Sequence, residues 1–244
     1  MKVVFVGPSL PDARGIASSD IEIRPPASQG DVMRAVGDGA TAIGLIDGLF
    51  EFVAPVWHKE LLFALSRDIA VLGAASMGAL RAAECLPYGM GGVGQIYDDY
   101  RCGRRVDDGD VALLHGPAAL GYPAVTEPLV NVDATLARAR QDERLSHDSC
   151  EALAKAARSL FFKDRTWRRM ADIVGIEWSV LRYVLSMVRV DQKRLDAVAL
   201  LDMMAASIEP AGPRHWTFNA TPLWRRMYPP GATAGQAKDA EKPA

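Results

Sequence analysis

Residues 69–85 read IAVLGAASMGALRAAEC, and the junction inside that stretch decides the fold class. Ile69–Leu72 is a short apolar run, Gly73–Ser76 is a turn of small residues, and Met77–Cys85 is built from Ala, Leu, Arg and Glu, all good helix formers. Strand, tight turn and helix in that order make half of a βα unit. Toward the N terminus the same pattern repeats. Ala42–Ile46 is an apolar run that ends at Asp47-Gly48, and Pro55 and Trp57 open a helix through Ser66 with Leu61, Leu62 and Leu65 at helical spacing. Val3–Val6 breaks at Gly7-Pro8-Ser9, a loop follows to about Asp20, and Ile21–Arg24 is a further short run. Ser28 then caps a helix over Gln29–Val36. The alternation predicts an α/β fold, a mostly parallel sheet with flanking helices in the N-terminal half.

Toward the C terminus the pattern changes. Leu86 to Pro128 is glycine-rich and irregular, with a short helix around Gln95–Tyr100 and a fifth strand expected at Val111–Leu114. After Leu129, the stretches Asn131–Gln141, Ser146–Phe161, Arg165–Val174, Glu177–Val188 and Gln192–Ile208 all read helical. The expected organisation is an α/β core over 1–140, an all-α C-terminal block over 141–228, and a disordered tail over 229–244 that lacks apolar residues to dock it.

The 244 residues carry 28 Lys+Arg against 30 Asp+Glu, a net charge of −2, and 49% are hydrophobic. That composition is globular and excludes a broadly basic nucleic-acid binder. The three cysteines, Cys85, Cys102 and Cys150, show no CxxC spacing and read as reduced thiols, not as a disulfide framework or a zinc site. The opening MKVVFVGPSL lacks a signal-peptide core and no stretch reaches 18 apolar residues, so a cytoplasmic protein without a membrane span is expected.

Ser76 carries the first chemical signal. It ends an apolar strand and begins a helix, with Ala74 and Gly78 as small neighbours at −2 and +2, the steric pattern of a nucleophile elbow with Ala in place of the usual first Gly. The first-turn amides behind it have no intrahelical partners and can stabilise an oxyanion, or hold an anion without catalysis. A bland reading competes, in which Ser76 only caps the helix. Asp47 and His58 lie near the carboxyl ends of the preceding strand and the start of the next helix, so Asp47, His58 and Ser76 can converge as orienting acid, general base and nucleophile. Glu51 and Glu60 rival Asp47 for the orienting role, and His115 is an alternative base. Met77 and Gly78 in the first turn, Arg81 one turn in, and Glu60 make up the substrate-contacting set; Arg81 also stands at i, i+3 from Glu84 and can pair with it.

Other motifs carry less. Gly89–Gly94 matches GxGxxG by letter but follows a helix where the dinucleotide fingerprint needs a strand; its glycines read as a helix stop and a flexible loop over the site. Asp107-Asp108-Gly109-Asp110 lacks the spacing of a calcium loop and reads as a solvated turn. Lys163, Arg165, Arg168 and Arg169, with Trp167 among them, form a basic cluster suited to an acidic partner or merely to solvent. No metal or cofactor is expected.

Together these motifs resemble the TfuA-like protein family. The resemblance rests on Asp47-Gly48 with Phe50-Glu51, Val56–Glu60, Gly73–Glu84, Tyr88-Gly89-Met90 and Gly92-Val93-Gly94 with Ile96-Tyr97, and the opening Phe5 with Gly7-Pro8-Ser9-Leu10 fits too. It spans roughly residues 1–140. The resemblance implies a sulfur-supply role beside a YcaO-family enzyme in peptide backbone thioamidation, through hydrolysis of the C-terminal thiocarboxylate of a ThiS-like carrier. Ser76 as nucleophile suits that implication, and a non-catalytic recruiting role for the YcaO enzyme or the sulfur donor is the alternative. Nucleic acid and membrane are not expected partners, and the sequence leaves the oligomeric state open.

Overall fold

Alternation along the first strand sets up the two faces of a sheet: Val3 and Phe5 point one way, Val4 and Val6 the other. A computed structural model describes residues 1–49, 51, 53–206 and 215–229. In it β1 (Lys2–Phe5), β2 (Ile21–Arg24), β3 (Ala42–Leu45), β4 (Ala70–Ala74) and β5 (Gly91–Val93) form an all-parallel sheet in the order β2-β1-β3-β4-β5.

Helices α2 (Asp31–Gly37), α3 (His58–Ser66), α4 (Met77–Cys85) and α5 (Gln95–Arg101) cover the face of Val3, Phe5, Ile43, Leu45 and Val71. The opposite face carries Val4, Val6, Ile46 and Leu72. It packs on Ala13 of a short α1 (Ala13–Ile16) and on Ala197, Leu200, Leu201 and Met204 of α10 (Gln192–Ala205). Gly44 permits the second contact, since a Cβ there would lie 2.8 Å from Leu200 and 3.0 Å from Val4. Between the sheet and α10 the chain builds α6 (Leu129–Gln141), α7 (His147–Ser159), α8 (Trp167–Val174) and α9 (Trp178–Val188) around their own core of Leu136, Leu153, Trp167, Met170 and Leu181. The stretch expected as one helical block therefore serves two cores.

The segment 215–229 returns to the sheet side and includes α11 (Pro222–Met227). Its Trp224 ring packs against Trp57 at 6.0 Å, Phe63 at 5.3 Å and Tyr228 at 4.6 Å between centroids, and Lys59 Nζ donates to Thr221 Oγ1 at 3.0 Å. The six-residue α11 escapes a periodicity reading because an aromatic cluster, not a long apolar stripe, holds it.

The fifth strand is not where the sequence put it. Val111 and Ala112 are buried, but the run follows a 3₁₀ turn at Asp108–Asp110 and its polar groups are bonded off the sheet: Lys193 Nζ takes the Val111 carbonyl at 2.9 Å and Thr126 Oγ1 takes the Leu114 amide at 2.7 Å. The edge strand is Gly91–Val93 instead, inside the glycine run read as a flexible loop. It pairs parallel with β4, and Gly94 ends it at the start of α5. Helix α2 starts at Asp31, not Gln29, because the Ser28 hydroxyl bonds the Asp31 carboxylate (2.7 Å) and Gly30 takes the cap. The expected helix end at Ile208, Phe50 of the family motif, and the expected disordered tail apart from Pro229 lie outside the described residues.

Candidate active site at the N-terminus of helix α4

In a parallel sheet of order 2-1-3-4-5, ligands bind where the winding reverses, outside the carboxyl ends of β1 and β3. Here the chain has filled that position itself. Asp47, buried at the end of β3, accepts from the Gly7 amide at 2.9 Å, the Ser9 amide at 2.9 Å and the Ser9 hydroxyl at 2.6 Å. The donors that would hold a bound anion are spent on the protein's own carboxylate.

One strand further along, the edge is open. Ala75 has φ 65°, the left-handed region that favours glycine, and the Ser76 amide donates to the Ala74 carbonyl across it at 2.7 Å. The strain expected of a nucleophile elbow is present, but on the residue before the serine. Ser76 occupies the cap position of α4 without accepting a helix amide, so its hydroxyl is not consumed by capping. Gly78 packs α4 against β3: its amide donates to the Ile46 carbonyl at 3.1 Å, and a Cβ there would lie 1.7 Å from the Leu45 carbonyl oxygen. Gly78 is thus a contact between helix and strand. With the Gly78 amide spent, Met77 is the first-turn position whose amide serves no other backbone group among the described residues.

A cavity of about 500 Å³ opens in front of Ser76. Helix α4 lines it with Ser76, Met77, Leu80, Arg81 and Glu84, and the facing wall is Val106, Asp107, Asp108, Val111 and Ala112. A buried lysine and a half-buried arginine brace that wall. Lys193 holds the Val111 carbonyl, with its ammonium pulled below the usual lysine range by burial, against the attraction of Asp47 and Asp191. Arg105 ties Asp110 at 3.0 Å to Asp133 at 2.6 Å.

His58 stands at the start of α3 beside the last turn of α4. Its Nε2 lies 2.7 Å from Glu84 Oε2, and the same oxygen accepts from Arg81 Nη1 at 2.7 Å. Burial pushes the Glu84 carboxyl up, but the hydrogen bonds from His58 and Arg81 outweigh it and hold the group below the ordinary glutamate range. Arg81 Nε is buried and has no partner, an unmet donor of the kind an entering anion satisfies.

The structure therefore brings Ser76, Met77 and Arg81 to one cavity and places His58 at its rim through Glu84. It does not bring Asp47 to His58. The carboxylate facing that imidazole is Glu84, which the sequence reading paired only with Arg81. Nothing in the one-dimensional pattern shows that the first residue of α3 meets the last turn of α4. Glu60 points away from the cavity: fully buried, it accepts from the Gly30 amide at the start of α2 at 2.9 and 3.0 Å and from the Tyr228 hydroxyl at 3.2 Å. Its burial outweighs those hydrogen bonds and pushes its carboxyl up to about 7. Glu51 pairs with Lys163 at 2.9 Å, and His115 Nδ1 lies 2.7 Å from the Gly116 carbonyl. In the basic cluster Arg165 is buried and donates to the carbonyls of Ala157, Gly109 and Leu160, so it braces the interior instead of docking a partner. Among the described residues, no helix is long and apolar enough to cross a membrane.

No curated protein matches this chain. The model of the family described as TfuA-like protein matches residues 47–166, a span that begins at Asp47 and contains His58, Ser76, Arg81, Glu84 and the facing wall of the cavity. By that match the chain belongs to the TfuA-like family, which is associated with YcaO-dependent thioamidation.

Proposed function

We propose that the α4 cavity hydrolyses the C-terminal thiocarboxylate of a ThiS-like carrier protein and supplies the sulfide to a YcaO-family enzyme. The observation that carries this reading is the Ser76 hydroxyl, unspent at the N-terminus of α4 on the wall of a cavity that also holds Arg81. The volume lies in the range of sites that take small ligands or a chain end. Arg81 meets the negative charge of the chain terminus. Ser76 Oγ attacks the carbonyl carbon, its proton passes to His58, and the oxyanion faces the positive end of α4. The C–S bond then breaks and sulfide leaves with the proton from His58. Water, deprotonated by the same imidazole, cleaves the resulting ester and returns Ser76. The balance is thiocarboxylate plus water giving carboxylate plus hydrogen sulfide.

A recruiting role is the second reading, and it is favoured by one observation: among the described residues no base is hydrogen-bonded to Ser76. The two separate on sulfide release from a thiocarboxylated carrier, wild type against Ser76→Ala. The hydrolase expects release to fall by several orders of magnitude in a folded variant; equal release, or none from either protein while the carrier still binds, overturns it in favour of recruitment.

A further inference from the structure

Resting on that reading of the cavity, we infer that Glu84 is the positioning residue of the site, fixing the tautomer of His58 and the direction of Arg81 through one carboxylate oxygen. Oε2 is shared by two donors from two helices, His58 Nε2 on α3 and Arg81 Nη1 on α4, each at 2.7 Å. An ionised carboxylate only accepts, so the imidazole must donate through Nε2. In the neutral ring that leaves the lone pair on Nδ1, which is then the basic nitrogen. A proton on Nδ1 would instead set two acceptors face to face at hydrogen-bond distance.

Arg81 is pinned by the same oxygen. Its side chain is 13% exposed, its Nη1 is held by Glu84, and its Nε is buried without a partner. The guanidinium is thus fixed at one corner while donors remain for a ligand. Of the two acids on the facing wall, Asp107 accepts from the Gly109 amide through Oδ1 at 2.8 Å, and among the described residues neither Asp107 nor Asp108 is bonded to Arg81. An alternative account makes the cluster a surface ion pair of little consequence, and the exposure of His58 (44%) and Glu84 (39%) does limit its value to the fold to that of exposed pairs. That weakness is useful: removing the carboxylate leaves the protein folded and isolates its effect on the site.

The test is Glu84→Gln and Glu84→Ala in the full chain, read first by ¹⁵N NMR of labelled histidine at alkaline pH, where imidazoles are neutral. In wild type the His58 proton is expected on Nε2. In Glu84→Ala no acceptor faces Nε2, so the His58 proton is expected to exchange between the two ring nitrogens, whereas in Glu84→Gln a carbonyl oxygen in the place of Oε2 accepts from both donors and is expected to keep the proton on Nε2. In Glu84→Ala sulfide release is expected to lose kcat by about 10²-fold, the loss on disabling the orienting acid of a triad being larger in a fully buried site, and KM is expected to rise as Arg81 loses its direction; Glu84→Gln is expected to recover part of both. An unchanged tautomer together with unchanged kcat and KM in Glu84→Ala overturns the inference. Should wild type release no sulfide, the hydrolase reading falls, and the tautomer measurement still decides what Glu84 does.

Discussion

The start of α4 differs from the starts of α2 and α5 and from the loop after β1 in one respect: it receives no carboxylate. Glu60 caps α2 through the Gly30 amide, and Asp196 of α10 caps α5 through the Gln95 and Ile96 amides at 3.1 and 2.8 Å. Asp47 fills the loop after β1. Backbone amides concentrated at a helix start or turn attract negative charge, and three times this chain meets the demand from within. At α4 it leaves a serine and a cavity. The contrast explains why the open site lies one strand away from the β1/β3 crevice that the strand order favours.

If the internal caps are structural, the largest effect belongs to Asp47. Asp47→Ala strands three buried donors and is expected to lower the unfolding free energy by about 3–5 kcal/mol in urea titrations; a loss under about 1 kcal/mol would break the comparison. Glu60 comes next and shows itself through pH. Its folded-state carboxyl is raised to about 7 from an ordinary 4.5, so the unfolded state ionises first. Stability is full below about pH 4.5, falls as pH rises to about 7 and then levels off, with a total near 3 kcal/mol as an upper bound. Glu60→Gln should flatten that slope in unfolding curves at pH 5 and 8. Gly78→Ala sharpens the other side of the comparison. A Cβ 1.7 Å from the Leu45 carbonyl oxygen forces α4 away from β3, at about 1–3 kcal/mol of overpacking, and sulfide release should drop with it. Tyr228→Phe should do least, about 1 kcal/mol for one hydrogen bond to Glu60, with activity intact.

The sequence shows the βα units clearly at β1, β3 and β4, where an apolar run is closed by small residues, and it bounds α4 at Met77 and Cys85 as the structure has it. Edges fared worse. Gly91–Val93 is a strand without a hydrophobic signature, recruited by pairing with β4, whereas Val111–Leu114 has the signature but gives its polar groups to Lys193 and Thr126. At the site, Ser76 and Arg81 were legible because both lie on the helix that follows a readable turn. Glu84 as the partner of His58 was not, since that contact joins residues 26 apart in sequence across two helices. Asp47 had the right place at a strand end and the wrong role, because pairing with the loop after β1 is a tertiary fact that spacing does not encode.

The most direct test of Ser76 as a nucleophile is mass spectrometry of the protein quenched with acid while it turns over a thiocarboxylated carrier. The account expects a carrier adduct, joined by an ester that forms with loss of hydrogen sulfide, on the peptide containing Ser76, and no adduct in Ser76→Ala. Sulfide release at full rate with no adduct on Ser76, or with the adduct on another residue, would contradict it.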